Sequence, residues 1–303
     1  MLGIVIPYFK IGFFEETLQS LANQTDKRFK VYIGDDASLD SPKALLETYK
    51  GQFDFVYHRF EKNLGGSQLV KQWERCMGLV GNENWFMVLG DDDVLGPDCV
   101  AAFYRSLPEI NDAQVQVVRF ATQVINDIGA VVSDTFYHPV LEKATDFFYR
   151  RFTNKTRSSL SEYIFSKNAY QTIGFYNYNL GWFTDDRAWL EFSKFGLIYS
   201  INDATVFFRL SAQNISRDHY KLQEKTLERL RFFKFIISKH ILKFTKQQQR
   251  HLTLHYEQLV YKYGKATFSF WVLVFWTFFK QLNVVQCVKF TRRMYIHLKQ
   301  HGQ

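Results

Sequence analysis

Between residues 2 and 89, short apolar runs alternate with stretches of helical period. Residues 2–6 (LGIVI), 31–33 (VYI), 53–57 (FDFVY) and 85–89 (WFMVL) read as strands. Between them, Phe14, Leu18, Leu21 and Ala22 share one helical face, Pro42 opens a helix to about Tyr49, and residues 66–77 form another. A chain that alternates in this way builds a parallel sheet covered by helices on both faces. In such sheets ligands bind beyond the carboxyl ends of the strands. Those ends carry Pro7-Tyr8, Asp35-Asp36 and Asp91-Asp92-Asp93.

The third of these ends constrains chemistry most. VLGDDDVLGPD, residues 88–98, sets three carboxylates side by side directly after an apolar run. Like charges raise one another's proton affinity, so something must make their company tolerable. A turn open to water, a cap for the helix that Pro97 starts, or a bound divalent cation would each do so. One aspartate suffices for a cap. Three at the carboxyl edge of a parallel sheet suit a hard, oxygen-seeking cation such as Mg²⁺ or Mn²⁺ bridging a diphosphate.

From residue 111 the pattern changes. Residues 115–120, 124–132, 197–201 and 205–210 read as strands, and 159–170 and 184–195 as helices. Residues 150–157 (RRFTNKTR) read as a polar loop. Its Arg150, Arg151, Lys155 and Arg157 would either fold over a diphosphate as a lid or simply be solvated. Composition supports an ordered chain: 303 residues at 47% hydrophobic and 18% aromatic can bury a large core. Cys76, Cys99 and Cys287 have neither metal-ligand spacing nor the look of a disulfide framework, and MLGIVIPYFK reads as a first strand and not as a leader, so a reducing cytosol is expected. No G-x-G-x-x-G, P-loop, H-E-x-x-H or G-x-S-x-G occurs, which leaves hydride transfer and acyl chemistry unsupported.

IVIPYF, IGDDASLD, NLGGS and LGDDDVLGPD, in this order and spacing, resemble the glycosyltransferase family 2 domain of GT-A fold, over residues 1 to about 220. The resemblance implies a Rossmann-like, mostly parallel sheet with helices on both faces, with a nucleotide-sugar donor half at 1–110 and an acceptor half at 111–220; the helical period of residues 221–303 sets them apart as a separate C-terminal region. It implies inverting transfer from a nucleoside diphosphate sugar, by family default a uridine one, with Mn²⁺ or Mg²⁺. Pro7 and Tyr8 would lie beside the nucleotide, with Lys10 where the family usually has Asn, and Asp35 and Asp36 would contact the base. The family's Asp-x-Asp falls on Gly90-Asp91-Asp92, so its first aspartate is missing. Asp92 is then favoured as direct metal ligand, with Asp91 near the ribose, Asp93 in support, and His219 completing the shell.

A second constellation is GWFTDDRAWLEFSKFG, residues 181–196. Thr184 reads as an N-cap, with Asp185 and Asp186 in a first turn where the helix dipole favours carboxylates. The resemblance adds a role: Asp186 matches the family's catalytic base and Asp185 replaces its glutamate. Trp182 would stack on an acceptor sugar, and Arg157 would sit in the acceptor or lid region.

The charge is uneven. Residues 221–303 hold 16 Lys and Arg against 3 Asp and Glu, a net of +13 in a chain whose total is +8. Leu230, Phe233, Ile237 and Ile241 share one helical face, and Leu252, Tyr256, Leu259 and Tyr263 another. The run ATFSFWVLVFWTFF, residues 266–279, is too short to span a bilayer. With its flanking lysines it suits an anionic membrane surface better than nucleic acid, and predicts a peripheral protein at the cytoplasmic face. The acceptor expected there is a glycan or lipid-linked glycan of a bacterial surface polysaccharide. The processive Q-x-x-R-W pattern is absent, so one sugar per encounter is expected. Two rivals stand beside this reading. A sugar nucleotidyltransferase would need a glycine-rich basic loop that IPYFK lacks, and a non-catalytic membrane or nucleic-acid binder would have no need of the aspartates.

Overall fold

Seven residues buried almost throughout, Leu2–Tyr8 (β1), run through the middle of the sheet that organises the first part of the chain. The computed structural model describes residues 1–211, 221–281 and 283–301. The chain forms two units, Met1–Asp218 and His219–Gln303.

In the first unit β1 is followed by α1 (Phe14–Ala22), β2 (Phe29–Asp35), α2 (Lys43–Thr48), β3 (Asp54–Arg59), α3 (Gly65–Met77), β4 (Trp85–Val88), β5 (Val94–Leu95) and α4 (Cys99–Asp112). Then come β6 (Val117–Ile125), β7 (Leu141–Lys143), α5 (Ala144–Phe152), β8 (Tyr163–Ser166), α6 (Lys167–Ile173), α7 (Thr184–Phe192) and β9 (Leu197–Arg209). The sheet order is β3-β2-β1-β4-β8-β6-β9-β5, with β7 on β9. β1, β2, β3 and β4 are parallel, β6 and β9 are parallel, and β8 runs antiparallel between β4 and β6. Winding runs outward from β1 to β3 and then returns to β4 on the other side of β1. The crevice beyond the carboxyl ends of β1 and β4 is therefore a topological switch point, the position at which such sheets hold ligands.

The expected helical face of α1 is the core face, with Phe14, Leu18 and Leu21 fully buried. They join Ile4, Ile6, Val31, Ile33, Met87 and Phe103 in one cluster. The other face is aromatic: Phe86, Phe165, Phe175 and Phe192 meet with ring centroids 5.2 to 6.5 Å apart.

The structure departs from the sequence reading in the second half of this unit. Residues 117–125 make one strand, β6, and 126–130 turn instead of continuing it, because Asn126 Oδ1 accepts from the Ile128 and Ala130 amides and Gly129 takes a positive φ of 75°. The two strands expected from 197 to 210 are one, β9, with a register irregularity that Asn202 pins by bonding both the N–H and the C=O of His138. Residues 159–170 are not one helix. Ser159 and Glu162 form a capping box on a single 3₁₀ turn, after which Tyr163-Ile164-Phe165 pair with β4 and β6. A central sheet position overrides the local helical period there. Arg150 and Arg151 end α5 and do not belong to a loop.

The second unit holds α8 (Leu222–Phe235), α9 (Lys246–Tyr263), α10 (Phe268–Lys280) and α11 (Val284–His301). Phe233, Ile237 and Ile241 are buried, as are Leu252, Tyr256 and Leu259, while Tyr263 is exposed. Thr245 and Gln248 form a capping box at the start of α9. On α10 the apolar run divides: Trp271, Val274 and Phe278 are buried, with Trp271 against Phe290, whereas Phe268, Val272, Trp276 and Phe279 are at least half exposed. Among the described residues no helix is long and apolar enough to cross a membrane.

Candidate active site

Each strand end at the switch point is locked by an aspartate. Asp35, fully buried at the end of β2, accepts from Tyr57 Oη at 2.6 Å, Arg59 Nη1 at 2.8 Å and the Ser38 amide at 2.8 Å. Burial alone would raise its proton affinity, but these donors hold the carboxyl below the usual range. Asp36 accepts from the amides of Leu64 and Gly65, each at 2.7 Å, from Asn63 Nδ2 at 3.0 Å, and from Arg75. This ties NLGG, at the start of α3, to the end of β2. A Cβ on Gly65 would lie 2.7 Å from the Asp36 carboxylate, which accounts for glycine there. Tyr8, also buried, donates to the Asp40 carbonyl at 2.7 Å, and Pro7 beside it is partly exposed. Both Asp35 and Asp36 thus shape the wall of the crevice through bonds inside the protein.

The three adjacent aspartates have three different environments. Asp91 Oδ2 accepts from the amides of Phe9 at 2.7 Å and Lys10 at 2.9 Å, clamping the loop after β1 onto the turn after β4. Burial raises its proton affinity and the two amides counter it. Asp93 is buried; Oδ1 accepts from the Arg209 amide at 2.8 Å and Oδ2 from Ser161 Oγ. Asp92 alone receives no side-chain hydrogen bond from another residue among the described ones. Burial, then Asp93 and Asp91, push its carboxyl up to about 8. Gly90 is what allows this crowding, since a Cβ there would lie 2.9 Å from Asp93 Oδ2 and 3.0 Å from Asp92 Oδ1. A side chain at the position where the Asp-x-Asp pattern has its first aspartate would require the Asp92 and Asp93 carboxylates to shift.

Asp185 and Asp186 lie in the first turn of α7, as expected, but Thr184 does not cap it. Phe183 precedes the helix at a φ of 69°, and Leu180 and Gly181 also have positive φ. For Leu and Phe this conformation is strained, and such residues cluster at ligand clamps and active sites. A Cβ on Gly181 would lie 3.0 Å from Trp73, so the loop is pressed against α3. Trp182, in this loop, is partly buried. Asp186 is fully buried; Arg151 Nη1 lies 2.9 Å from Oδ1, yet neither carboxylate oxygen has a hydrogen-bond partner among the described residues. Burial pushes this carboxyl up to about 8, with Arg151 pulling down and Asp185 and Glu162 pushing further up.

The basic residues expected as a lid are engaged elsewhere. Arg150 pairs with Glu142 at 2.7 Å, Arg151 with Asp186, and Arg157 with the buried Glu162 at 3.1 Å, its guanidinium 4.4 Å from the Phe208 ring centre. Lys155 is exposed. Ser161 and Glu162 therefore join the two acidic clusters: Ser161 binds Asp93 and the Gly90 amide, while the charge of Glu162 is felt at Asp186 and that of Arg157 at both Asp93 and Asp185. Sequence reading missed Ser161, Glu162 and Arg209. The Ser159-x-x-Glu162 spacing was a usable sign of a cap; Arg209, buried at the end of β9, had none. His219 lies outside the described residues.

Among the described residues no group of three or more His, Cys, Asp or Glu side chains is arranged to hold a metal ion. The donor set does suit a cation that brings its own ligands. Mg²⁺-type ions are usually held by one or two carboxylates together with substrate phosphates, and Asp92 offers one such carboxylate, crowded by two others.

Residues 4–171 match the family model for glycosyl transferase family 2. The chain belongs to that family and is a glycosyltransferase acting on a nucleotide sugar. Among solved structures it is similar to S. aureus TarS residues 1–349 in complex with UDP-GlcNAc, at 12% identity and a TM-score of 0.65, covering 92% of this chain and 80% of that one. It is also similar to a longer TarS structure, with a TM-score of 0.62, 12% identity and coverage of 94% and 49%, and to TarS 1–349 with UDP, with a TM-score of 0.55, 14% identity and coverage of 100% and 92%. At such identities the likeness establishes the fold, which is GT-A-like with a helical C-terminal region. No curated protein matches the chain.

Proposed function

We propose that the enzyme transfers a sugar from a uridine diphosphate donor to a hydroxyl of a glycan or lipid-linked glycan, with inversion, in the synthesis of a bacterial surface polysaccharide. The observation that carries this reading is the pair of unlike acidic clusters at one switch point. Asp92 is the carboxylate without a side-chain partner and would hold Mn²⁺ or Mg²⁺, with Asp93 and His219 in support. A bound cation there would neutralise the diphosphate and stabilise it as a leaving group. Pro7, Tyr8, Asp35, Asp36 and Asp91 form the nucleotide side, in keeping with a fold whose relative was solved with UDP-GlcNAc and with UDP.

Asp186 is the base. Its oxygens have no hydrogen-bond partners among the described residues and its proton affinity is raised into the range of neutral pH, which suits a group that must take a proton from an acceptor hydroxyl. Asp185 supports it, Arg151 lowers its proton affinity part of the way back, Trp182 offers an aromatic surface to the acceptor sugar, and Arg157 orders the turn between the clusters. Incubating the protein with UDP-sugars and Mn²⁺ and measuring UDP release tests this: release with one sugar that stops on chelation supports the reading, and none with any donor opposes it.

A membrane partner is supported by α10, whose Phe268, Val272, Trp276 and Phe279 are at least half exposed near Lys265 and Lys280. On this reading the protein is cytoplasmic and sits at the membrane face by this helix. Trp276 is the aromatic anchor, because Trp271 is buried. Binding to anionic but not neutral vesicles, weakened by salt and by Trp276→Ala, tests it.

A further inference from the structure

The end of the sheet opposite the aspartates carries a recess. Its volume is about 680 Å³. Trp85 is the first residue of β4, Leu197 the first of β9, Gln116 directly precedes β6, and Asn168 follows the end of the antiparallel β8. All four line the recess, so it lies at the amino ends of the parallel strands, about 20 Å from the switch point along a seven-residue strand.

We propose that this recess binds a neutral saccharide, at a site separate from that of the donor. Its lining holds four amide side chains, Asn111, Gln114, Gln116 and Asn168, together with the hydroxyl of Thr172 and the indole of Trp85. None of the four amides makes a side-chain hydrogen bond within the protein among the described residues. A carboxamide both donates and accepts, which matches the vicinal hydroxyls of a sugar, and an indole offers an apolar plate to a sugar's C–H face. The size falls within the range of small-molecule sites. No carboxylate lines the recess and only one cation, Lys194, does, which excludes a metal ion and leaves a diphosphate without enough positive charge.

The two helices that border the recess end alike. Val115 N donates to Ile110 O and Phe195 N to Leu190 O, and the residues before them, Gln114 and Lys194, have φ of 52° and 54°. Glycine is the favoured residue at that point of a helix-ending turn. Both turns keep a long side chain there, and both of those side chains line the recess.

The test is an NMR titration of the full chain, following its six tryptophan indole signals, with Trp85→Phe used to assign one of them. The probes are maltotriose, cellotriose and triacetylchitotriose. At least one is expected to shift the Trp85 signal saturably, with a dissociation constant on the order of a millimolar. Gln116→Ala with Asn168→Ala is expected to weaken this roughly fivefold or more, with UDP affinity and melting temperature unchanged. If the same trisaccharide slows transfer to long acceptors but not donor hydrolysis, the recess holds the far end of the acceptor. If neither rate changes while Trp85 responds, it holds an independent saccharide. No Trp85 shift with any probe, a shift at Trp182 alone, or a Trp85 shift unaffected by the double substitution overturns the proposal.

Discussion

The acidic triplet after β4 and the acidic pair opening α7 are made of the same residue and hold it differently. In the triplet, Asp91 and Asp93 are fixed by amides and a hydroxyl, and the Asp92 carboxylate between them accepts no hydrogen bond from another of the described residues. In the pair, Asp186 has a guanidinium 2.9 Å away on the neighbouring α5. Asp92 feels the charge of Arg209, which bonds its backbone carbonyl, but burial and the two neighbouring carboxylates outweigh it, and a mobile cation from solution would stabilise it. A carboxylate with a tethered cation has its charge balanced in place and remains available to accept a proton. On the function proposed above, the difference would separate a donor-holding cluster from a proton-accepting one, although burial pushes a member of each up to about 8.

The largest effect expected is on turnover. Asp186→Asn should lower transfer by about two to four orders of magnitude, the range for removal of a general base, with UDP affinity unchanged. Steady-state kinetics beside calorimetry measure both. Transfer within a few-fold of the parent would move the role to Asp185.

The triplet should divide next. Asp93→Ala removes a buried carboxylate and leaves the Arg209 amide and Ser161 without their acceptor, at a cost of about 2–4 kcal/mol in unfolding free energy. Asp92→Asn removes charge without volume, breaks no internal hydrogen bond and relieves the crowding of the triplet, so it should cost no stability at neutral pH. Urea titrations distinguish them, and equal losses would mean that Asp92 too is a structural residue.

A smaller effect tests the guanidinium. Arg151 lowers the proton affinity of Asp186, so Arg151→Gln should shift the acid limb of kcat/KM, expected near pH 8 in the parent, upward. Activity should fall about tenfold at neutral pH and recover at higher pH. A loss of equal size at every pH would make Arg151 a substrate contact instead.

The smallest effect is on stability against pH. The folded protein binds the Asp186 proton more tightly than the unfolded chain does, so the stability this group contributes is present in full below about pH 4 and is lost as pH rises towards 8. Between pH 5 and 8 the melting temperature of Asp186→Asn should therefore fall less than that of the parent. A parallel pair of curves would show that Asp186 ionises freely in the folded state.

The parts of this arrangement that were legible in the sequence are those with local signatures. The β1-to-β4 alternation was readable because β1, β2 and β4 are buried almost throughout and each run ends in a turn, and the aspartates could be placed at strand ends from order alone. Charge alone gives no partner: Arg150, Arg151 and Arg157 read as solvated or phosphate-binding until Glu142, Asp186 and Glu162 appear beside them in space. The reading of 159–170 as a helix failed because β8 is defined by its neighbours β4 and β6, which lie far away in the chain. The same distance hid Arg209, which reaches the triplet across 116 residues.

The division of labour between the two clusters is tested most directly by one calorimetric series: UDP titrated with and without Mn²⁺ into the parent, Asp92→Asn and Asp186→Asn. The expected result is that Mn²⁺ strengthens UDP binding in the parent and in Asp186→Asn alike, and that Asp92→Asn loses this gain, on the order of a hundredfold, while keeping its metal-free affinity. A full Mn²⁺ effect in Asp92→Asn, or its loss in Asp186→Asn, would contradict the assignment of the cation to the triplet and the proton to the pair.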